Sequence, residues 1–168
     1  MPAITEGDLI FTFANGWSAE KYDGWSHYRN QFMSTCGGTK AMDVLAMEPQ
    51  GCCWLVEVKD YRRHRRTKTI HLAEEVAKKV RDTLAGLVSA RFHANDAGEM
   101  DAAKRALRST NIRVVLHLEQ TTKPSGLFPR AIDPADVLQR LKQLIKAIDP
   151  HPRVVESARM ASIPWEVS

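Results

Sequence analysis

The chain has 168 residues, 43% hydrophobic and 26% charged, a balance that fits one globular domain spanning residues 1–168 with a core of ordinary size. No apolar run approaches the ~20 residues a membrane helix needs, and Met1 to Glu6 carry no basic-then-apolar signal, so a cytoplasmic protein without membrane contact is expected. The net charge of +4 is too small to name a partner, and Cys36, Cys52 and Cys53, with no Cys-x-x-Cys spacing, read as free thiols rather than a zinc or redox site.

Asp8 to Phe13 reads as a first strand and Asn15-Gly16 as a turn. Trp25, Tyr28 or Arg29, and Phe32 recur at helical spacing, which predicts a short helix within Glu20 to Phe32. The aromatics Trp17, Tyr22, Trp25 and Tyr28 fit core positions better than a base-stacking platform. Cys36-Gly37-Gly38-Thr39-Lys40 is a flexible connection; it lacks the spacing of a phosphate loop, although Lys40 can reach a phosphate near Asp43.

The centre of the chain is a hairpin. Asp43 to Met47 and Trp54 to Val58 are apolar, strand-like runs, joined through Glu48-Pro49-Gln50-Gly51. Pro49 suits the first corner of a type I turn, and Gly51 the left-handed position of a three-residue bulged loop. If Glu48 closes on Cys52, Asp43 lies opposite Glu57 on one sheet face; a loop one residue longer puts the two carboxylates on opposite faces. The shorter loop is the expected one. Lys59, two residues beyond Glu57, shares its face. Paired carboxylates repel unless a cation lies between them, and Mg²⁺ (or Mn²⁺) meets that need with few protein ligands and retained waters. An ammonium beside them suits stabilisation of charge developing on a phosphodiester. The same three residues also read as an ordinary ion-pair cluster on a strand face.

Arg62, Arg63, Arg65, Arg66 and Lys68 come directly after, with His64 among them, and favour a polyanionic partner held by its backbone. Leu72, Val76, Val80, Leu84, Leu87 and Val88 predict a long amphipathic helix from about Ile70 to Phe92, with Lys78, Lys79 and Arg81 on a solvated face. A shorter helix over Glu99 to Leu107 and a strand over Ile112 to Glu119 come next, the strand expected beside the one that carries Glu57. His117 and Glu119 share a face there, read as a hydrogen-bonded core histidine before a second polar site. Gln120 to Arg130 is a loop, in which Lys123 and Arg130 can extend the phosphate contact. Asp133-Pro134 caps a helix that Asp149-Pro150 ends, and a strand around Arg153 to Glu156 precedes a tail that Trp165 should dock.

Asp43 with Glu57-Val58-Lys59 after a hairpin resembles the PD-(D/E)XK nuclease superfamily, and the order strand, hairpin, strand, helix, strand over roughly Gly38 to Glu119 is similar to its core. Met42 stands where the family name has Pro. The resemblance implies an α/β fold, a mixed β-sheet flanked by helices in a restriction-endonuclease-like core. It implies Asp43 and Glu57 as Mg²⁺ ligands with the Val58 carbonyl, Lys59 as the catalytic water-positioning group, and a further acid from a preceding helix, for which Glu20 and Asp23 are the candidates. It also allows a homodimer. The function expected is Mg²⁺-dependent hydrolysis of DNA phosphodiester bonds, with Lys40 and the Arg62 to Lys68 run as backbone clamp. The alternatives are a non-catalytic nucleic-acid-binding protein on the same fold, and an interaction or structural protein that binds no polyanion.

Overall fold

A computed structural model describes every residue except Phe128 and Ala161. Among the described residues the fold is mixed α/β, with two sheets and three α-helices in three layers.

The larger sheet has the order β3-β4-β5-β6-β7, formed by Ser18–Lys21, Val44–Met47, Cys52–Asp60, Asn111–Glu119 and Arg153–Val155. β3, β4 and β5 run antiparallel, while β5, β6 and β7 run parallel. The smaller sheet, β1-β2-β8, is antiparallel and comprises Ala3–Glu6, Leu9–Phe13 and Trp165–Val167. Between β5 and β6 the chain makes the helices α1, Leu72–His93, and α2, Ala97–Ala106; α3, Pro134–Ile145, precedes β7.

Because successive strand residues point to opposite faces, β4, β5 and β6 divide their apolar side chains between two cores. Leu45, Leu55, Leu116 and Leu118 pack under α1, α2 and α3, against Val76, Val80, Ala103, Val137 and Leu141. Val44, Ala46, Trp54, Val56 and Val115 pack against Phe11, Phe13 and Trp165 of the smaller sheet. From Cys52 to Val58 β5 is buried and, apart from Glu57, apolar, so Glu57 there is exceptional. Trp165 docks as expected, edge-on to Trp54 at 5.2 Å between ring centroids.

The hairpin has the expected register. Val44 faces Val56 and Met47 faces Cys53, Glu48 N–H donates to the Cys52 carbonyl at 3.1 Å, and Gly51 takes φ +88°. Asp133 caps α3 by accepting from the Ala135 N–H at 2.9 Å.

Three expectations change. The start of the chain is a hairpin rather than one strand, turned at Gly7 with φ +58°. Glu20 lies on an edge strand, β3, and not on a helix: this polar segment is extended because β4 offers it a ladder, with Glu20 opposite Leu45. Beyond β3 the chain forms a short 3₁₀ turn, Tyr22–Gly24, and a π-helix, Tyr28–Phe32, in place of a regular helix. Of the aromatics expected in the core, Tyr22, Trp25 and Tyr28 are buried, and Trp17 is only partly buried, packed against the second core. Cys52 and Cys53 are buried and Cys36 is exposed, all as free thiols.

Candidate functional site

Asp43 sits at the open end of the β4–β5 hairpin, one position before β4. Its N–H donates to the Val56 carbonyl at 3.1 Å, and its carbonyl accepts from the Tyr22 N–H at 3.0 Å, so its backbone is fixed from both neighbours. Oδ2 accepts from the Val58 N–H at 2.7 Å. Val58 therefore meets Asp43 through its N–H. Oδ1 is left facing helix α1.

Glu57 projects to the same side and is 0% exposed. Its Oε1 lies 2.5 Å from Lys59 Nζ and 2.5 Å from Lys79 Nζ. Lys79 Nζ also stands 3.6 Å from Asp43 Oδ1, so one ammonium spans both carboxylates. Glu57 Oε2 is buried without a hydrogen-bond partner among the described residues.

Lys79 is the residue that sequence reasoning placed wrongly, on a solvated face. It comes four residues after Glu75 on α1, and Glu75, Val76, Val80 and Thr83 are buried around it, so this stretch of α1 faces the sheet. The signal was available: Glu75 and Lys79 sit one turn apart beside the apolar stripe of Val76 and Val80.

Glu75 is a second centre. It accepts from Arg66 at 2.8 Å and from Lys68 at 2.8 Å, and Lys59 Nζ lies 3.6 Å away. Arg66 is further held by the Tyr61 hydroxyl and the Ile70 carbonyl. The basic run is thus only partly free. Arg62 makes a bidentate contact with Asp60, and Arg63 pairs with Asp8 at 3.0 Å. Arg65 is exposed with no hydrogen bond or ion pair among the described residues, and Lys40 is exposed while its N–H donates to Asp82 at 2.9 Å.

Of the two further acids, Asp23 lies close enough to Asp43 for their charges to interact, and its Oδ1 is buried without a partner. Burial, then the Asp43 charge, raises its pKa. Glu20 instead pairs with Arg105 at 3.7 Å and has Glu99 and Asp96 as its acidic neighbours. His117 is on the other sheet face, a core histidine whose Nε2 is bonded to Glu119 at 2.8 Å and whose ring is edge-on to Phe11, while its Nδ1 is buried without a partner among the described residues.

Electrostatics set the glutamates apart. Burial and the facing Asp43 push Glu57 up to about 7 against the pull of Lys79 and Lys59. Burial works against the Lys59 charge, but Glu57 and Asp43 outweigh it and raise that ammonium above the usual lysine range. Burial also opposes ionisation of Glu75, yet hydrogen bonds from Lys68 and Arg66 and the charge of Lys59 bring it down to about 2.

Among the described residues, no group of three or more His, Cys, Asp or Glu is placed to hold a metal ion. The fit for Mg²⁺ is therefore the modest one of two carboxylates with waters. Asp43 Oδ1 and Glu57 Oε2 have coordinating capacity unused by hydrogen bonds, and a cationic group already stands between the two side chains.

Among the described residues, no helix is long and apolar enough to cross a membrane. No family model matches the chain, and no solved structure matches it. Over an alignment of 209 residues it is 29% identical to the cysteine–tRNA ligase of Neisseria meningitidis serogroup A, with 100% of this chain covered. The chain spans 30% of that ligase's length. This finding overturns the resemblance to the PD-(D/E)XK superfamily and, with it, the reading as a Mg²⁺-dependent hydrolase of DNA. The physical reason is plain in the cluster: two carboxylates and a lysine on a hairpin arise equally when buried acids are neutralised by lysines of the same chain, as Lys59 and Lys79 do here.

Proposed function

We propose that this chain is an RNA-binding module for a structured RNA of the transfer-RNA kind, acting in the cytoplasm, where its three free cysteines stay reduced. The observation that carries the reading is the basic loop between β5 and α1. Arg63 and Lys68 keep 78% and 59% of their side chains exposed, and Arg65 is unpaired among the described residues. The inner members of the run, Arg66 and Lys68, anchor on Glu75, so the loop is presented in a fixed form. Exposed arginines on a rooted loop suit phosphate, since Arg matches its geometry with two donors and each contact releases counterions. The ligase that the chain resembles in sequence supports RNA over DNA as the polyanion.

Beside this loop, Asp43 and Glu57 would hold Mg²⁺ (or Mn²⁺) through one oxygen each, with waters completing the shell. When bound, the ion supplies positive charge to a phosphate; the chain's own residues orient it. Lys59 keeps its charge next to Glu57, and Asp43 is fixed by the Val58 N–H.

The test is fluorescence anisotropy with transfer RNA and with duplex DNA of matched length, between low and physiological salt. Tighter binding to the RNA is expected, with log affinity falling linearly against log salt. The variant Arg62→Ala/Arg63→Ala/Arg65→Ala should reduce that slope by about two to three. No binding to either polymer at low salt, or an unchanged slope in the variant, would refute the reading.

A further inference from the structure

We infer that Lys79 is a tethered cation that occupies the divalent-metal position between Asp43 and Glu57 and is displaced when a metal ion enters. The inference rests on the metal site proposed above and is independent of RNA binding.

Lys79 is more than one half of an ion pair. Glu57 Oε1 already has Lys59 at 2.5 Å, and Asp43 Oδ2 is already satisfied by the Val58 N–H at 2.7 Å. The second ammonium answers a different need, the mutual repulsion of two acids on one face. It is placed for that, 2.5 Å from one and 3.6 Å from the other, whereas Lys59 lies between Glu57, at 2.5 Å, and Glu75, at 3.6 Å.

Its answer is incomplete. Both lysines crowd one oxygen, Glu57 Oε1, the contact of Lys79 to Asp43 Oδ1 is too long for a hydrogen bond, and Glu57 Oε2, in a residue that is 0% exposed, has no partner among the described residues. Those two oxygens are the kind a hard divalent ion takes, bringing twice the charge and its own waters. Lys79 can leave without unfolding the helix that carries it, because it ends a flexible four-carbon stem and already keeps 14% of its side chain exposed. Exchange of the ammonium for a divalent ion therefore replaces a group that reaches only Glu57 Oε1 at hydrogen-bond distance by one that can take Asp43 Oδ1 and Glu57 Oε2 together.

The experiment is a Mn²⁺ titration of metal-stripped protein, monitored by electron paramagnetic resonance of the free ion. Lys79→Met should bind Mn²⁺ at least about tenfold more tightly than the wild type, and adding Glu57→Gln to Lys79→Met should abolish that binding. In the wild type itself, so that nothing depends on the variant's folding, Mn²⁺ should raise labelling of Lys79 by an amine-reactive ester while Lys78 labelling stays constant, as read by mass spectrometry. Equal affinity in wild type and Lys79→Met, or labelling of Lys79 that ignores Mn²⁺, overturns the inference. Absence of Mn²⁺ binding in every variant overturns it together with the metal site. Neither measurement contains nucleic acid, so failure here leaves the RNA reading untouched.

Discussion

Lys79, on helix α1, and Glu57, on strand β5, meet at 2.5 Å across the interface between the helical layer and the sheet. The contact joins a fully buried carboxylate to the long helix that packs over it. A buried charge on a central strand is costly unless it is paired and hydrogen-bonded. Here the pairing is strong on Oε1 and, among the described residues, missing on Oε2, and Glu57 is harder to ionise than Glu75.

That imbalance sets a pH dependence. Glu57 has a folded pKa of about 7, above its ordinary 4.5, so its contribution to stability is full below 4.5 and is lost as pH rises through about 7. Glu57→Gln removes this titration. Unfolding free energies measured in urea from pH 5 to pH 8 should shift in favour of the variant by on the order of 3 kcal/mol across that range. Parallel curves for wild type and variant would contradict it.

Glu75 has the opposite sign. Its pKa, lowered to about 2, makes a contribution that is full above the ordinary 4.5 and is lost as pH falls towards 2. Glu75→Gln should flatten the acid limb of stability and also release Arg66 and Lys68. The loop holding them then becomes a substrate for trypsin, and limited proteolysis should cut between Arg62 and Lys68 at least about tenfold faster than in the wild type, in line with local opening made easier by ~1.4 kcal/mol. An unchanged cutting rate would mean that the loop is rooted elsewhere.

How far the sequence made this legible depended on whether the determinants were local. Pro49 and Gly51 dictate the loop, the loop dictates the register, and the register puts Asp43 and Glu57 on one face. The cap of α3 and the stripe of α1 are local for the same reason. Ser18–Lys21 is a strand only because β4 pairs with it, and the π-turn at Tyr28–Phe32 has no distinct spacing of its own. The three-residue site pattern was read correctly as geometry, but its chemistry was read too specifically. What completes the cluster, Lys79, comes from the helical layer, and a lysine next to two others looked like solvent-facing charge.

The basic run should divide into structural and surface members. Arg66 is 13% exposed and holds Glu75, Tyr61 and the Ile70 carbonyl, so Arg66→Ala should cost about 2 kcal/mol of stability. Arg65→Ala should leave thermal stability unchanged and reduce the salt slope of RNA binding by about one. Circular-dichroism melts and anisotropy titrations of both variants check this. A melt lowered by Arg65→Ala, or an unaffected slope, would show that the two arginines had been assigned the wrong way round.

Gly86 in α1 offers a packing test at a distance from the charges. Replacing a mid-helix glycine by alanine ordinarily gains about 1 kcal/mol. Here a Cβ would lie 2.0 Å from the Tyr22 hydroxyl oxygen and 3.1 Å from Phe32 Cδ1. Tyr22 is 1% exposed and hemmed by Trp25 and Tyr28, so its ring cannot simply swing away. The clash should outweigh helix propensity, and Gly86→Ala is expected to destabilise by about 1–3 kcal/mol, lowering the melting temperature by roughly 2–4 °C per kcal/mol. Since the closest obstacle is one hydroxyl, Tyr22→Phe in the Gly86→Ala background should recover a substantial part of that loss. The double-mutant cycle then gives a nonzero coupling, the double variant being more stable than the sum of the two single losses. Strictly additive effects of the two substitutions would mean that Tyr22 and the helix do not touch at Gly86, and that the segment preceding Asp43 is held against α1 by something other than this close approach.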